Sequence, residues 1–206
     1  MAQKFLNKRT FSFVLAGLLF LGSLWYLVSV AFDTKQAFSA SSADIGAVFD
    51  AVIHTTAGDF VLQFYPDRAP QTKRNFVMLA KTGFYNDTKF HRVIPDVLIQ
   101  GGDPYTKRDD VSRYGTGDPG YTIKDEINDT PMKRGVVGMA HRGPGTAGSQ
   151  FFVLAGDRPD LEGKFTAFAF VSQGLDVIDA ISRVDRVSGT ERPRTPITIT
   201  SITLRQ

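Results

Sequence analysis

Residues 90–104 read "FHRVIPDVLIQGGDP". Two short apolar runs, each with the texture of a strand, carry one conspicuous polar residue apiece, Arg92 and Gln100. An unpartnered guanidinium is costly to bury, so such an arginine lies at a surface, is paired, or takes part in chemistry. The runs around it are also short: "KFHRVI", "VLIQ", "GVVGMA", "QFFVLA" and "FTAFAFV", separated by Gly/Pro/Asp clusters. That spacing predicts a β-sandwich or barrel rather than alternating strands and helices.

Upstream, "VFDAVIHT" and "FVLQFY" flank the turn residues "TAGD" at 56–59, which predicts a hairpin. Pro70 opens a predicted helix with Phe76, Leu79 and Ala80 among its apolar positions and Gly83 as its C-terminal cap. A second helix is predicted in "GLDVIDAISRV", with Leu175, Ile178 and Ile181 on one face. In the closing "PITITSITL", Ile197 and Ile199 share one phase while Ile202 and Leu204 share the other. A bulge near Ser201 would turn both pairs inward. Residues 102–121 read as an irregular surface loop. The result is a mainly β domain with two helices, whose strands would lose their exposed edges by closing into a barrel.

The N-terminus has a different character. Residues 11–32, "FSFVLAGLLFLGSLWYLVSVAF", carry no charge and are long enough to span a bilayer as a helix, with Trp25 and Tyr26 near the far interface. Lys4, Lys8 and Arg9 precede them and would hold residues 1–10 in the cytosol, leaving the rest on the exported side. The alternative is a cleaved signal peptide followed by secretion, because "SVA" (29–31) and "FSA" (38–40) both end in small residues. The apolar run exceeds a usual signal core, which favours a single-pass anchor. The Ser- and Ala-rich residues 33–47 then read as a flexible linker and 48–206 as the folded domain. Setting those three basic residues aside balances the remaining Lys and Arg against the 21 Asp and Glu. A neutral domain argues against nucleic acid as a partner. With no cysteine, thiolate metal sites, disulfides and cysteine nucleophiles are excluded.

Other chemistries fail on context. "GPGTAG" (143–148) satisfies the dinucleotide glycine spacing, but the strand-like "SQFFVL" follows where a helix is needed. Ser149 with His54, His91 and His141 lacks a G-x-S-x-G elbow, and the histidines lack H-E-x-x-H spacing.

"FHRVIPDVLIQGGDP", "GVVGMAHRGPGTAGSQFFV" and "LEGKFTAFAFV" together closely resemble the cyclophilin family of peptidyl-prolyl isomerases, from about Val48 to Leu204. The resemblance implies a closed eight-stranded antiparallel β-barrel capped by two α-helices, no metal or cofactor, a monomeric domain, and proline-containing polypeptides as substrates. It implies Arg92 as the catalytic donor and Gln100 as the residue that orients it. Gln150 falls at a polar substrate contact, and Phe152 and Leu161 at walls of the proline pocket with Val97 and Leu98 beside them. Ala140 and His141 match the segment that holds the peptide backbone, while Phe90 and His91 are expected to pack.

The chain also departs from the family pattern. Val97-Leu98 replaces a frequent Phe-Met pair, His141 an asparagine, and Phe165, at a substrate-binding position, a common His or Tyr. Asp160 stands where cyclosporin-sensitive members carry tryptophan, so weak cyclosporin binding is expected. The leading expectation is a membrane-anchored isomerase assisting the folding of exported proteins. A catalytically weak proline-peptide-binding module tethered to the membrane is the alternative. A structural barrel within a larger assembly ranks last.

Overall fold

The computed structural model describes residues 45–206. The expected membrane segment and most of the linker lie outside these residues. No helix among the described residues is long and apolar enough to cross a membrane. The end of the expected linker is packed: Ile45 is buried and its carbonyl accepts from Val48 N at 3.3 Å.

Eight antiparallel strands form one sheet: β1 (Asp50–Thr55), β2 (Phe60–Phe64), β3 (Arg92–Ile94), β4 (Leu98–Gly101), β5 (Val136–Met139), β6 (Phe151–Leu154), β7 (Ala167–Gln173) and β8 (Ile199–Arg205). Their lateral order is β3-β4-β6-β5-β7-β2-β1-β8. The predicted β1–β2 hairpin pairs Asp50 with Gln63 and Ile53 with Phe60. The predicted bulge is present, one residue from its expected centre. His54 pairs with Ser201 but Thr55 with Ile199, so Thr200 is the extra residue. Ile202 and Leu204 thereby oppose the fully buried Ile53 and Ala51, while Ile199 stays inside.

Helix α1 (Pro70–Lys81) starts with proline at a position that needs no backbone donor. Ala69 cannot cap it, and the Glu126 carboxylate does so from a distant loop. That carboxylate accepts from Gln71 N (3.1 Å), Thr72 N (2.7 Å) and Thr72 Oγ1 (2.8 Å). At the other end Gly83 N bonds Ala80 O and Phe84 N bonds Leu79 O, a Schellman closure that needs the left-handed φ of 68° at Gly83. Phe76 projects from α1 into an aromatic core, with ring centroids of Tyr85, Phe151, Phe168 and Phe64 within 5.0–5.8 Å. Helix α2 (Leu175–Ser182) buries Ile178 and Ile181, with Leu175 half-buried at its start.

The expected closed barrel is instead a half-barrel. Strands β3 and β8 are the two ends of the sheet, and no strand ladder joins them. The Lys89–Thr198 bridge and the bond from Phe90 N to Ile197 O (2.9 Å) tie the segments just before each end strand. The reason lies at the outer edge of β3. Val93 N, which would have to pair with another strand, donates to Glu191 O at 2.7 Å. A loop therefore covers the edge that ladder closure would use.

Candidate active site

Strand register brings the predicted Arg92, Gln100 and Phe152 into one row. Arg92 opposes Gln100, Gln100 opposes Phe152, and Phe152 opposes Gly138. Directly opposed residues in antiparallel strands present their side chains on the same face, about 5 Å apart. Four residues up to sixty positions apart in sequence thus form a continuous line across β3, β4, β6 and β5. Alternate positions face the other way: Val93, Ile99, Val153 and Val137 form the adjoining row, all with no exposure, inside the core.

Glycine at 138 is required by the ring beside it. A Cβ there would lie 2.4 Å from Phe152 Cζ, so the phenyl ring sits against the bare backbone of β5. Phe152 belongs to an apolar cluster with Leu98, Met132, Val136, Leu154 and Ala167. Val97, Ala140, Leu161, Phe165, Ile94 and Tyr65 pack around it, partly buried. All the apolar residues singled out in the sequence therefore meet. Val97 comes from the turn between β3 and β4, Leu161 from a 3-10 turn at Pro159–Leu161, and Phe165 from the approach to β7. Met132, Val136, Leu154 and Ala167 complete the cluster without having been singled out; strand register places Val136, Leu154 and Ala167, and the loop before β5 brings in Met132.

Phe165 meets Phe152 edge-on, with centroids 5.4 Å apart and planes at 86°, and stacks on His141 at 4.5 Å. The His141 Nε2 lies 3.0 Å from Lys164 O, which can only accept, so the proton resides on Nε2. Ala140 N donates to Gln150 O at 2.9 Å, fixing the segment to the neighbouring strand.

The polar side of the row is a directed relay. Arg92 Nη1 donates to Gln100 Oε1 (3.4 Å), Gln100 Nε2 to Gln150 Oε1 (3.0 Å), and Gln150 Nε2 to Gly117 O (2.8 Å). Each glutamine uses its carbonyl toward Arg92 and its amide toward Gly117. Because Arg92 can only donate and a backbone carbonyl can only accept, neither amide can flip. Gly117 packs against Asp103, which is fully buried and accepts from Tyr105 N (2.7 Å) and Gly115 N. A Cβ at position 117 would lie 2.1 Å from Asp103 Oδ1. Residues 102–121, expected to be an irregular surface loop, thus contribute the acceptor on which the relay ends. Gln100, Gly117, Ala140, His141 and Gln150 line a cleft of about 280 Å³. Arg92 and Phe152 stand beside it, outside its lining.

Arg92 is half-exposed and is paired on its other side, Nε donating to Glu191 Oε2. Glu191 lies 99 residues away. No local spacing points to it, and the sequence reading missed it. Phe90 and His91 pack, as expected, at 1 % and 9 % exposure.

The family model for cyclophilin type peptidyl-prolyl cis-trans isomerase/CLD matches residues 51–204. The chain belongs to the cyclophilin family. Among curated relatives, a Helicobacter pylori peptidyl-prolyl cis-trans isomerase is 40% identical over 157 residues, covering 74% of this chain and 92% of that protein. A Synechococcus elongatus peptidyl-prolyl cis-trans isomerase is 42% identical over 139 residues, 66% of this chain and 91% of its own length. The crystal structure of a Cryptosporidium parvum cyclophilin type isomerase superposes with a TM-score of 0.70 at 28% identity, over 77% of this chain and 98% of that one. The chain is accordingly an isomerase by family.

His91 yields a test of how tightly the cyclophilin site is built. Burial pushes its imidazole below the ordinary value, and Asp103 only partly opposes this. The unfolded chain then binds the proton more readily than the folded one, so stability is full above about pH 6.5 and declines as pH falls through the interval down to the lower folded value. Urea titrations across that interval should show this decline in the parent and a shallower one in His91→Gln. Equal slopes would contradict it.

Proposed function

We propose that this cyclophilin accelerates rotation about X-Pro bonds in exported or membrane-proximal polypeptides, with Arg92 as the catalytic donor and Gln100 as its positioning partner. The observation that carries the reading is the single row Arg92–Gln100–Phe152, which sets a forked cation beside an apolar wall. Rotation about a peptide bond faces a barrier of ~20 kcal/mol because the planar amide is resonance-stabilised. In the twisted state the prolyl nitrogen regains its lone pair. A donor aimed at that nitrogen stabilises the transition state more than the planar ground state. Phe152, Leu161, Val97, Leu98 and Phe165 would hold the proline ring, and Gln150, Ala140 and His141 the peptide backbone. The Cryptosporidium relative has been crystallised in the presence of the dipeptide Ala-Pro, which supports a proline dipeptide as the minimal ligand here.

Export rests on the charge-free residues 11–32 behind Lys4, Lys8 and Arg9. The domain would then act beyond the membrane, tethered or released. A second reading, binding without catalysis, is favoured by one feature: the His141–Phe165 stack lies against Phe152 in place of the family's usual side chains.

Exchange spectroscopy on a panel of X-Pro peptides separates the two. Arg92→Ala should lower kcat/KM by about 100-fold or more, ~3 kcal/mol of transition-state stabilisation, with peptide binding retained. Peptide binding by the parent without cis–trans exchange would establish the binding module instead. Asp160 forms a bidentate pair with Arg158 (2.6 and 2.8 Å) and offers no indole to a cyclic ligand. Cyclosporin should accordingly inhibit Asp160→Trp more tightly than the parent. Equal inhibition of both would sink that assignment.

A further inference from the structure

The ion pair on the far side of Arg92 is a built feature. Residues 185–194 fold back on themselves: Val187 N bonds Arg192 O (2.9 Å), Arg194 N bonds Asp185 O (2.7 Å), and Arg186 bridges Pro193. This folded loop is registered onto β3 through Val93 N and Glu191 O. The backbone of Glu191 is therefore pinned to the residue adjacent to Arg92, and its carboxylate accepts from Arg92 Nε.

We propose that Glu191 is a positioning residue for isomerisation, fixing the plane in which the Arg92 guanidinium presents its remaining donors. The inference rests on the reading of Arg92 as the catalytic donor. A guanidinium is rigid and planar with five N–H groups. A single contact at Nη1, to Gln100, leaves the plane free to swing about that bond. A second contact at Nε, to Glu191, removes this freedom. The two anchors occupy the Nε and Nη1 positions, and Nη2 has no protein acceptor among the described residues. The clamp thus grips the guanidinium from two sides, at Nε and at Nη1, and leaves Nη2 for the substrate.

Stability does not account for the pair. Arg92 and Glu191 are 41% and 45% exposed, and an ion pair in that setting contributes little to folding because water and salt screen it. A half-exposed carboxylate also leaves much of the arginine's field intact, whereas a buried one would quench it. Geometry is where such a contact acts: misplacing a catalytic group by a fraction of an ångström to 1 Å costs rate far more than it costs stability.

The test compares the parent with Glu191→Ala, Glu191→Gln and Arg92→Ala in the same exchange assay. Glu191→Ala is expected to lower kcat about 3- to 10-fold with KM and thermal midpoint nearly unchanged. Glu191→Gln keeps an acceptor oxygen at the same reach and should recover most of the loss. Placing Glu191→Ala on top of Arg92→Ala should produce no further decrease. A readout independent of turnover is the Arg92 Nε–H resonance, which should exchange slowly with water in the parent and in Glu191→Gln, and rapidly in Glu191→Ala. Parent-like kcat in Glu191→Ala, beside a crippled Arg92→Ala, overturns the inference and leaves Arg92's role standing. Parent-like kcat in Arg92→Ala overturns both.

Discussion

The site depends on the register of four short strands. With a side-chain period of two, pairing Arg92 with Gln100 and Gln100 with Phe152 commits every other residue of β3, β4 and β6 to a face. Val93, Ile99 and Val153 go inward to the core, while Arg92, Gln100 and Phe152 form the working row. A slip of one residue in β4 would bury Gln100 and expose Ile99. The core therefore protects the site: the hydrophobic penalty for misregister is what keeps a glutamine opposite the arginine. The aromatic packing around Phe76 reinforces this, because Phe151 contacts it from the strand position next to Phe152.

Polar order propagates outward from that row. The fixed amide directions of Gln100 and Gln150 end on the Gly117 carbonyl, in a loop that the buried Asp103 carboxylate ties together at Tyr105 N and Gly115 N. On the opposite flank, the folded loop carrying Glu191 occupies the edge of β3. One cation is thus held between two irregular segments far apart in sequence. The ladder that would have closed the barrel is given up where that loop binds. Covering the strand edge and placing a carboxylate on the guanidinium are two consequences of the same loop.

Much of this was legible in the sequence because the determinants are local. The hairpin around residues 56–59, the helix from Pro70 to its Gly83 cap, and the phase change between Ile199 and Ile202 each lie within a few residues of their signal. The apolar site residues were found by resemblance, since Leu98 or Phe152 would be apolar in any such sheet. What escaped was non-local. Glu126 caps α1 from more than fifty residues away, and Glu191 reaches Arg92 across 99. Gly138 is explained only by the Phe152 ring lying beside it. The closed barrel was an inference from edge avoidance; a loop meets the same need. The charge-free N-terminal segment lies outside the described residues, and its reading still rests on sequence alone.

In the proposed mechanism a geometrically fixed fork, and not merely a positive charge, drives the reaction. Arg92→Lys separates the two, because lysine keeps the charge but can neither span Gln100 and Glu191 nor present a planar donor edge. Exchange spectroscopy on an Ala-Pro peptide should show cis–trans interconversion slowed by about 10-fold or more, with peptide affinity within about threefold of the parent. Interconversion at the parent rate in Arg92→Lys would mean that charge alone suffices, and the account of the row would be wrong.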